Sequence, residues 1–94
     1  MKKFNYRLVD YFDVWGNEED GFEVNNLCVV EEVKIELDED STHQNIIDIL
    51  KEQNYLKQTV KLSDFDVWDD FEMIEFSDVN NGMPLFRLEL VIEY

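Results

Sequence analysis

Two long runs of alternating apolar residues, separated by a short acidic stretch with two glycines, limit what this chain can fold into. The stretch is Asp13-Val14-Trp15-Gly16-Asn17-Glu18-Glu19-Asp20-Gly21-Phe22-Glu23-Val24-Asn25-Asn26. A period of two puts successive side chains on opposite faces, so each flanking run predicts a half-buried β-strand. Asp20-Gly21 is a strong turn signal, and glycine takes φ > 0 with no Cβ penalty. Together these features predict a β-hairpin with a polar tip.

Before the tip, residues 3 to 14 predict a strand with Phe4, Tyr6, Leu8, Phe12 and Val14 on one face. Lys3, Asn5, Arg7 and Asp13 fall on the other face, where Val9 and Tyr11 add apolar mass. Asp10 interrupts the apolar face, which points to a strand end, a bulge or a partly exposed sheet. After the tip, residues 22 to 37 predict a second strand. Its apolar positions are even at Phe22 and Val24 but odd at Val33, Ile35 and Leu37. A one-residue β-bulge between Asn25 and Val30 is the simplest way to switch parity, and a bulge curls the hairpin.

Asp38-Glu39-Asp40-Ser41 then opens a predicted helix of about twelve residues, with Ser41 and Gln44 in a capping-box pattern. Ile46, Ile47 and Leu50 form its apolar stripe, His43 lies one turn earlier, and Asn54 is positioned to end it. Phe65 to Phe76 predicts a third extended region. Asn80-Asn81-Gly82 before Pro84 predicts a turn, and Leu85 to Tyr94 a last strand with Phe86, Leu88, Leu90, Ile92 and Tyr94 facing in. The expected fold is α+β: one domain over residues 1–94, a curled antiparallel sheet of about four strands and one helix, in the order ββαββ.

Charge decides which partners such a fold accepts. Twenty-three acids oppose eight bases, a net charge of −15. Between Val9 and Val33 there is no Lys or Arg, while eight acids occur: Asp10, Asp13, Glu18, Glu19, Asp20, Glu23, Glu31 and Glu32. A second base-free window, Leu62 to Phe86, holds Asp64, Asp66, Asp69, Asp70, Glu72, Glu75 and Asp78. Surfaces of this kind repel nucleic acid and anionic membranes and attract basic protein surfaces. Apolar residues make up 45% of the chain, enough for a packed core and against disorder. No apolar run approaches the ~18 residues of a membrane helix, and no signal-peptide pattern follows Met1-Lys2-Lys3. Cys28, the single cysteine, has no internal disulfide partner, which points to a reducing cytosol. Its place in an apolar run predicts a small core residue.

Extended over Asp64 to Glu72, the chain puts Asp64, Asp66, Trp68, Asp70 and Glu72 on one face. Carboxylates at i and i+2 lie ~6.6–6.8 Å apart, on the order of two base-pair rises, so a ladder of them can offer arginines a substitute for phosphates. The plainer reading is a solvated sheet face. No stretch has the spacing of a calcium-binding EF-hand loop, and one histidine with one cysteine makes no zinc set. Glu32-Val33-Lys34 matches the E-x-K half of a metal-dependent nuclease site, with Asp13 or Asp20 as upstream acid. A −15 enzyme, however, is poorly suited to hold DNA. We therefore expect no catalytic residue, metal or cofactor. Trp15 and Trp68 sit beside acids rather than in apolar runs, as suits contact with Arg or Lys. The candidate partner-binding residues are Asp13, Trp15, Glu18, Glu19, Asp20 and Glu23, and then Asp64, Asp66, Trp68, Asp69, Asp70 and Glu72.

Asp13, Trp15, Gly16, Asn17, Asp20, Gly21, Glu23, Val24 and Asn25 spell D-x-W-G-N-x-x-D-G-x-E-V-N, over about a seventh of the chain. In this the chain resembles a family of small acidic proteins encoded by bacteriophages and other mobile elements. By size, charge and origin the resemblance extends to inhibitors of host CRISPR nucleases, type II-A anti-CRISPR proteins among them. It implies a non-enzymatic protein acting in the bacterial host cytoplasm on a basic nucleic-acid-binding groove, with no direct contact to nucleic acid or membrane. The alternative is an acidic adaptor or assembly module for a basic phage or host protein.

Overall fold

The hairpin forms, and its ladder runs almost to the tip. The computed structural model of the chain describes residues 2–91. Strand β1 spans Lys3–Asn17 and β2 spans Gly21–Asp38, so only Glu18, Glu19 and Asp20 lie between the closing pair Asn17 and Gly21. Asn17 Oδ1 accepts the Asp20 amide at 2.8 Å, supplying the side-chain turn that asparagine favours. Gly21 follows at φ 88° and Gly16 has φ 115°. At Gly16 a Cβ would also stand 2.2 Å from the Gly21 carbonyl oxygen.

The expected one-residue bulge in β2 falls at Asn25, since Asp13 pairs with Asn26 and Val14 with Val24, and a second, larger irregularity lies further along the strand. Tyr6 pairs with Ile35 and Leu8 with Val30, so Arg7 alone opposes the four residues Glu31 to Lys34. Smaller irregularities flank Asp13 on either side. Such bulges raise the local twist and bend the hairpin.

Helix α1, His43–Glu52, is shorter than expected, and its cap lies one residue beyond the predicted box. Thr42 is the N-cap: its hydroxyl accepts the Asn45 amide, and Asn45 Oδ1 accepts the Thr42 amide at 2.8 Å. Ser41 instead folds back on the strand end, where its hydroxyl accepts the Asp38 amide at 2.9 Å. Asn54, at φ 64°, ends the helix in the left-handed conformation that asparagine tolerates.

The sheet has five strands rather than four, because the region Phe65 to Phe76 is two strands: β3, Phe65–Asp69, and β4, Met73–Asp78. Phe71, at φ 76°, turns the chain between them without a glycine. Asp69 and Asp70 hold that turn by accepting the amides of Phe71 and Met73. The last strand, β5, covers Pro84–Leu90, and Ile92, Glu93 and Tyr94 lie outside the described residues.

Strand order is β2-β1-β5-β4-β3, antiparallel throughout, in an open sheet. From edge strand β2 the chain must reach the opposite edge before β3, and α1 covers one sheet face on the way. Against Ile46, Ile47 and Leu50 of the helix pack Tyr6, Leu8, Val33, Ile35, Leu37, Ile74, Phe76, Phe86 and Leu88. Phe76 stacks on Phe86 at 4.8 Å, and Phe65 meets both rings edge-on. Asp10, the break in the apolar pattern, accepts the Tyr55 hydroxyl. Burial and this carboxylate push the Tyr55 phenol well above its usual range. Val9 and Tyr11 are buried on the other face, under the side chain of Arg87.

The two tip glycines carry different loads. At Gly21 an added Cβ meets nothing within 4 Å, so Gly21→Ala costs only the left-handed backbone penalty of about 1–2 kcal/mol. Gly16→Ala adds a steric clash with backbone and should destabilise more. Equal midpoints of the two variants in urea unfolding would contradict this.

Candidate partner-binding surface

Only part of β1 is flanked on both sides. Strand β5 pairs with it from Tyr6 to Asp10, and beyond that point β1 and β2 continue alone as a two-stranded arm. Isolated hairpins are marginal in water, so this arm depends on its turn and its cross-strand pairs. Asp13 is its central brace. One carboxylate oxygen accepts the Trp15 indole N–H at 2.6 Å, and the other accepts the Asn26 side-chain amide from the facing strand at 2.8 Å. Trp15 is thereby held in place while 65% exposed. Phe12, expected to face the core, is 61% exposed, because β1 pairs with β5 only as far as Asp10 and Phe12 lies outside the helix-covered core.

Glu18, Glu19 and Glu23 are exposed on this arm and make no hydrogen bond or ion pair among the described residues. Asp20 is tied to Asn17 by the turn. Three bases that could offset the tip are engaged elsewhere. Lys3 pairs with Glu36, while Arg7 and Arg87 both grip Glu89 at 2.7 Å on the uncovered sheet face. Tyr11 donates to Glu75 at 2.7 Å beneath Arg87, and burial with this bond pushes its phenol up to about 12. Burial alone would raise the Glu89 carboxyl, but hydrogen bonds and charge from Arg7 and Arg87 win and hold it below its usual range.

The second acidic block is not the predicted ladder. Asp64 lies in a 3-10 turn and caps the Lys61 amide at 2.8 Å. Asp69 Oδ2 lies 2.8 Å from His43 Nε2, and Asp70 closes the β3–β4 turn. Burial pushes the Asp69 carboxyl up, yet the bonds from His43 and the Phe71 amide bring it below its usual range. Of the five expected on one face, Asp66 and Trp68 alone share an exposed strand face, and Glu72 sits in the turn. These acids mostly terminate local backbone.

The two blocks also lie apart. Asp69 pairs with Ile74, and Met73 pairs with Glu89, which pairs with Arg7. That row is ten residues from Asn17, about 30 Å along β1 at strand rise. Glu32 and Lys34 sit in the bulge, well down β2 from Asn26, the residue opposite Asp13. The E-x-K reading therefore has no upstream acid beside it. Among the described residues no three His, Cys, Asp or Glu side chains converge as metal ligands. Nor is any described helix long and apolar enough to cross a membrane. Cys28, expected in the core, is exposed, because β2 is an edge strand whose distal half the helix does not cover. No protein-family model, curated protein or solved structure matches this chain.

Glu89 gives this region a measurable pH signature. Its folded pKa is depressed, so its stabilising contribution is present above the unfolded value of ~4.3 and is lost as pH falls through the folded value. Glu89→Gln should lower the melting temperature at pH 7 and flatten the decline below about pH 4. An unchanged acid limb would show that the Arg7–Glu89–Arg87 cluster does not contribute.

Proposed function

We propose that this chain is a non-enzymatic inhibitor encoded by a phage or mobile element. It occupies a basic nucleic-acid-binding groove of a host defence protein, with an RNA-guided CRISPR nuclease as the favoured target. The observation that carries this reading is the arm. It projects beyond the core, presents Glu18, Glu19 and Glu23 without hydrogen-bond or ion-pair partners among the described residues, and fixes Trp15 as an exposed aromatic. A cation can stack on that ring while pairing with a neighbouring carboxylate, and preorganisation lowers the entropic cost of doing so. RNA-guided nucleases hold their heteroduplex in positively charged channels and read the adjacent DNA motif with arginines. The D-x-W-G-N-x-x-D-G-x-E-V-N resemblance to small acidic phage proteins supports the origin, and −15 at this size supports the kind of partner. Inhibition is by exclusion, with no turnover.

The test is affinity capture from a bacterial lysate with wild type and with the variant Glu18→Gln, Glu19→Gln, Glu23→Gln. Wild type should retain a basic nucleic-acid-binding protein, added nucleic acid should displace it, and the variant should bind at least tenfold more weakly. Binding should also weaken with salt, because the Debye length is ~8 Å at physiological ionic strength. Retention of basic structural proteins instead would favour the adaptor reading. A ternary complex with nucleic acid would overturn exclusion.

A further inference from the structure

Open sheets have two edges, and this one protects them unequally. Strand β3 is short and carries Asp66 and Asp69, both deterrents to pairing with another chain. Strand β2 is eighteen residues long and, among the described residues, pairs with β1 alone. Its proximal half is covered: the Gln53 side chain, at the helix C-terminus, accepts the Lys34 amide at 2.7 Å and donates to the Lys34 carbonyl. That bond pair imitates a neighbouring strand. Further out, among the described residues, nothing meets the outward backbone groups.

Val24 to Val30 is an uncharged interval on this open edge, with Leu27, Cys28 and Val29 exposed. From Asn26 to Val30 the residues of β2 follow one another in register with no bulge on this strand. Carboxylates bound the interval at both ends: Glu23 on one side, Glu31 and Glu32 on the other, all exposed. This pattern selects an occupant. A second copy paired over Val24–Val30 would set each chain's Glu23 against the other's Glu31 and bring together two charges of −15. A strand with an apolar centre and basic ends meets every one of these groups favourably.

We propose that the free edge of β2 from Asn26 to Val30 receives an extended segment of the basic partner, held by main-chain hydrogen bonds and flanked by Lys or Arg. The inference rests on the basic-partner reading above and assigns it a second contact, by strand addition. Glu23 belongs to both contacts, at the base of the arm and the head of the docking edge.

The probe is a synthetic peptide of about eleven residues, alternating Val and Thr with two Lys at each end, long enough to span Glu23 to Glu31. Calorimetry should show saturable one-to-one binding, and the fast-exchanging amides within Asn26–Val30 should slow. The same peptide with Glu ends should bind at least tenfold more weakly. Leu27→Lys with Val29→Lys, both at exposed positions, should keep the fold and lose tenfold or more. Glu39→Gln with Glu52→Gln, which changes net charge equally, should bind within twofold of wild type. Equal binding of the two peptides, absent protection at Asn26–Val30, or a dimer already protecting that segment would each overturn the proposal. Should the Leu27/Val29 variant still capture the basic partner while the Glu18/Glu19/Glu23 variant does not, strand addition fails and the exclusion reading stands.

Discussion

Phe86 joins the two halves of the molecule. Strand β5 enters between β1 of the hairpin and β4 of the second pair, so without it there is no common sheet. At its centre Phe86 stacks on Phe76 and meets Tyr55 and Phe65 edge-on. Truncating such a ring costs roughly 3–5 kcal/mol, a large share of the 5–15 kcal/mol that stabilises a typical domain. The helix follows from the same arrangement. It crosses from β2 towards β3 and covers the face on which Phe86, Leu88 and Leu8 are fully or almost fully buried.

Pairing with β5 ends at Asp10, Tyr11 is the last buried residue of β1, and everything past it is cantilevered. This divides the carboxylates by role. Asp64, Asp69 and Asp70 cap backbone amides, Asp10 and Glu75 accept tyrosine hydroxyls, and Glu89 serves two arginines. Glu18, Glu19 and Glu23 do none of this. They repel one another on an arm with little burial of its own, an arrangement that the fold alone does not call for. Natural proteins break local rules most often where function demands it.

The hairpin was legible because alternation and Asp20-Gly21 are strong signals, and Ile46, Ile47 and Leu50 marked the helix. The β3–β4 turn was not legible. Its reversing residue is Phe71, and the punctuation comes from carboxylates binding amides, which reads in sequence as a charged strand face. Shifting the cap from Ser41 to Thr42 came down to which hydroxyl the strand end claimed first, a tertiary matter. Phe12 and Cys28 looked like core residues because alternation reports which face a side chain takes, not whether anything covers that face. Of the candidate residues, the tip acids and Trp15 were named from sequence and are exposed in the fold. Asn26 as the cross-strand partner of Asp13 and the open edge of β2 needed the pairing register.

The central claim is that the carboxylates of the arm serve contact and cost the fold stability. Its most direct measurement is the melting temperature, at low ionic strength, of Glu18→Gln, Glu19→Gln, Glu23→Gln beside wild type. The account predicts a variant at least as stable as wild type, with a smaller gain on adding salt. A variant that melts clearly below wild type would contradict it, because these acids would then be holding the arm together.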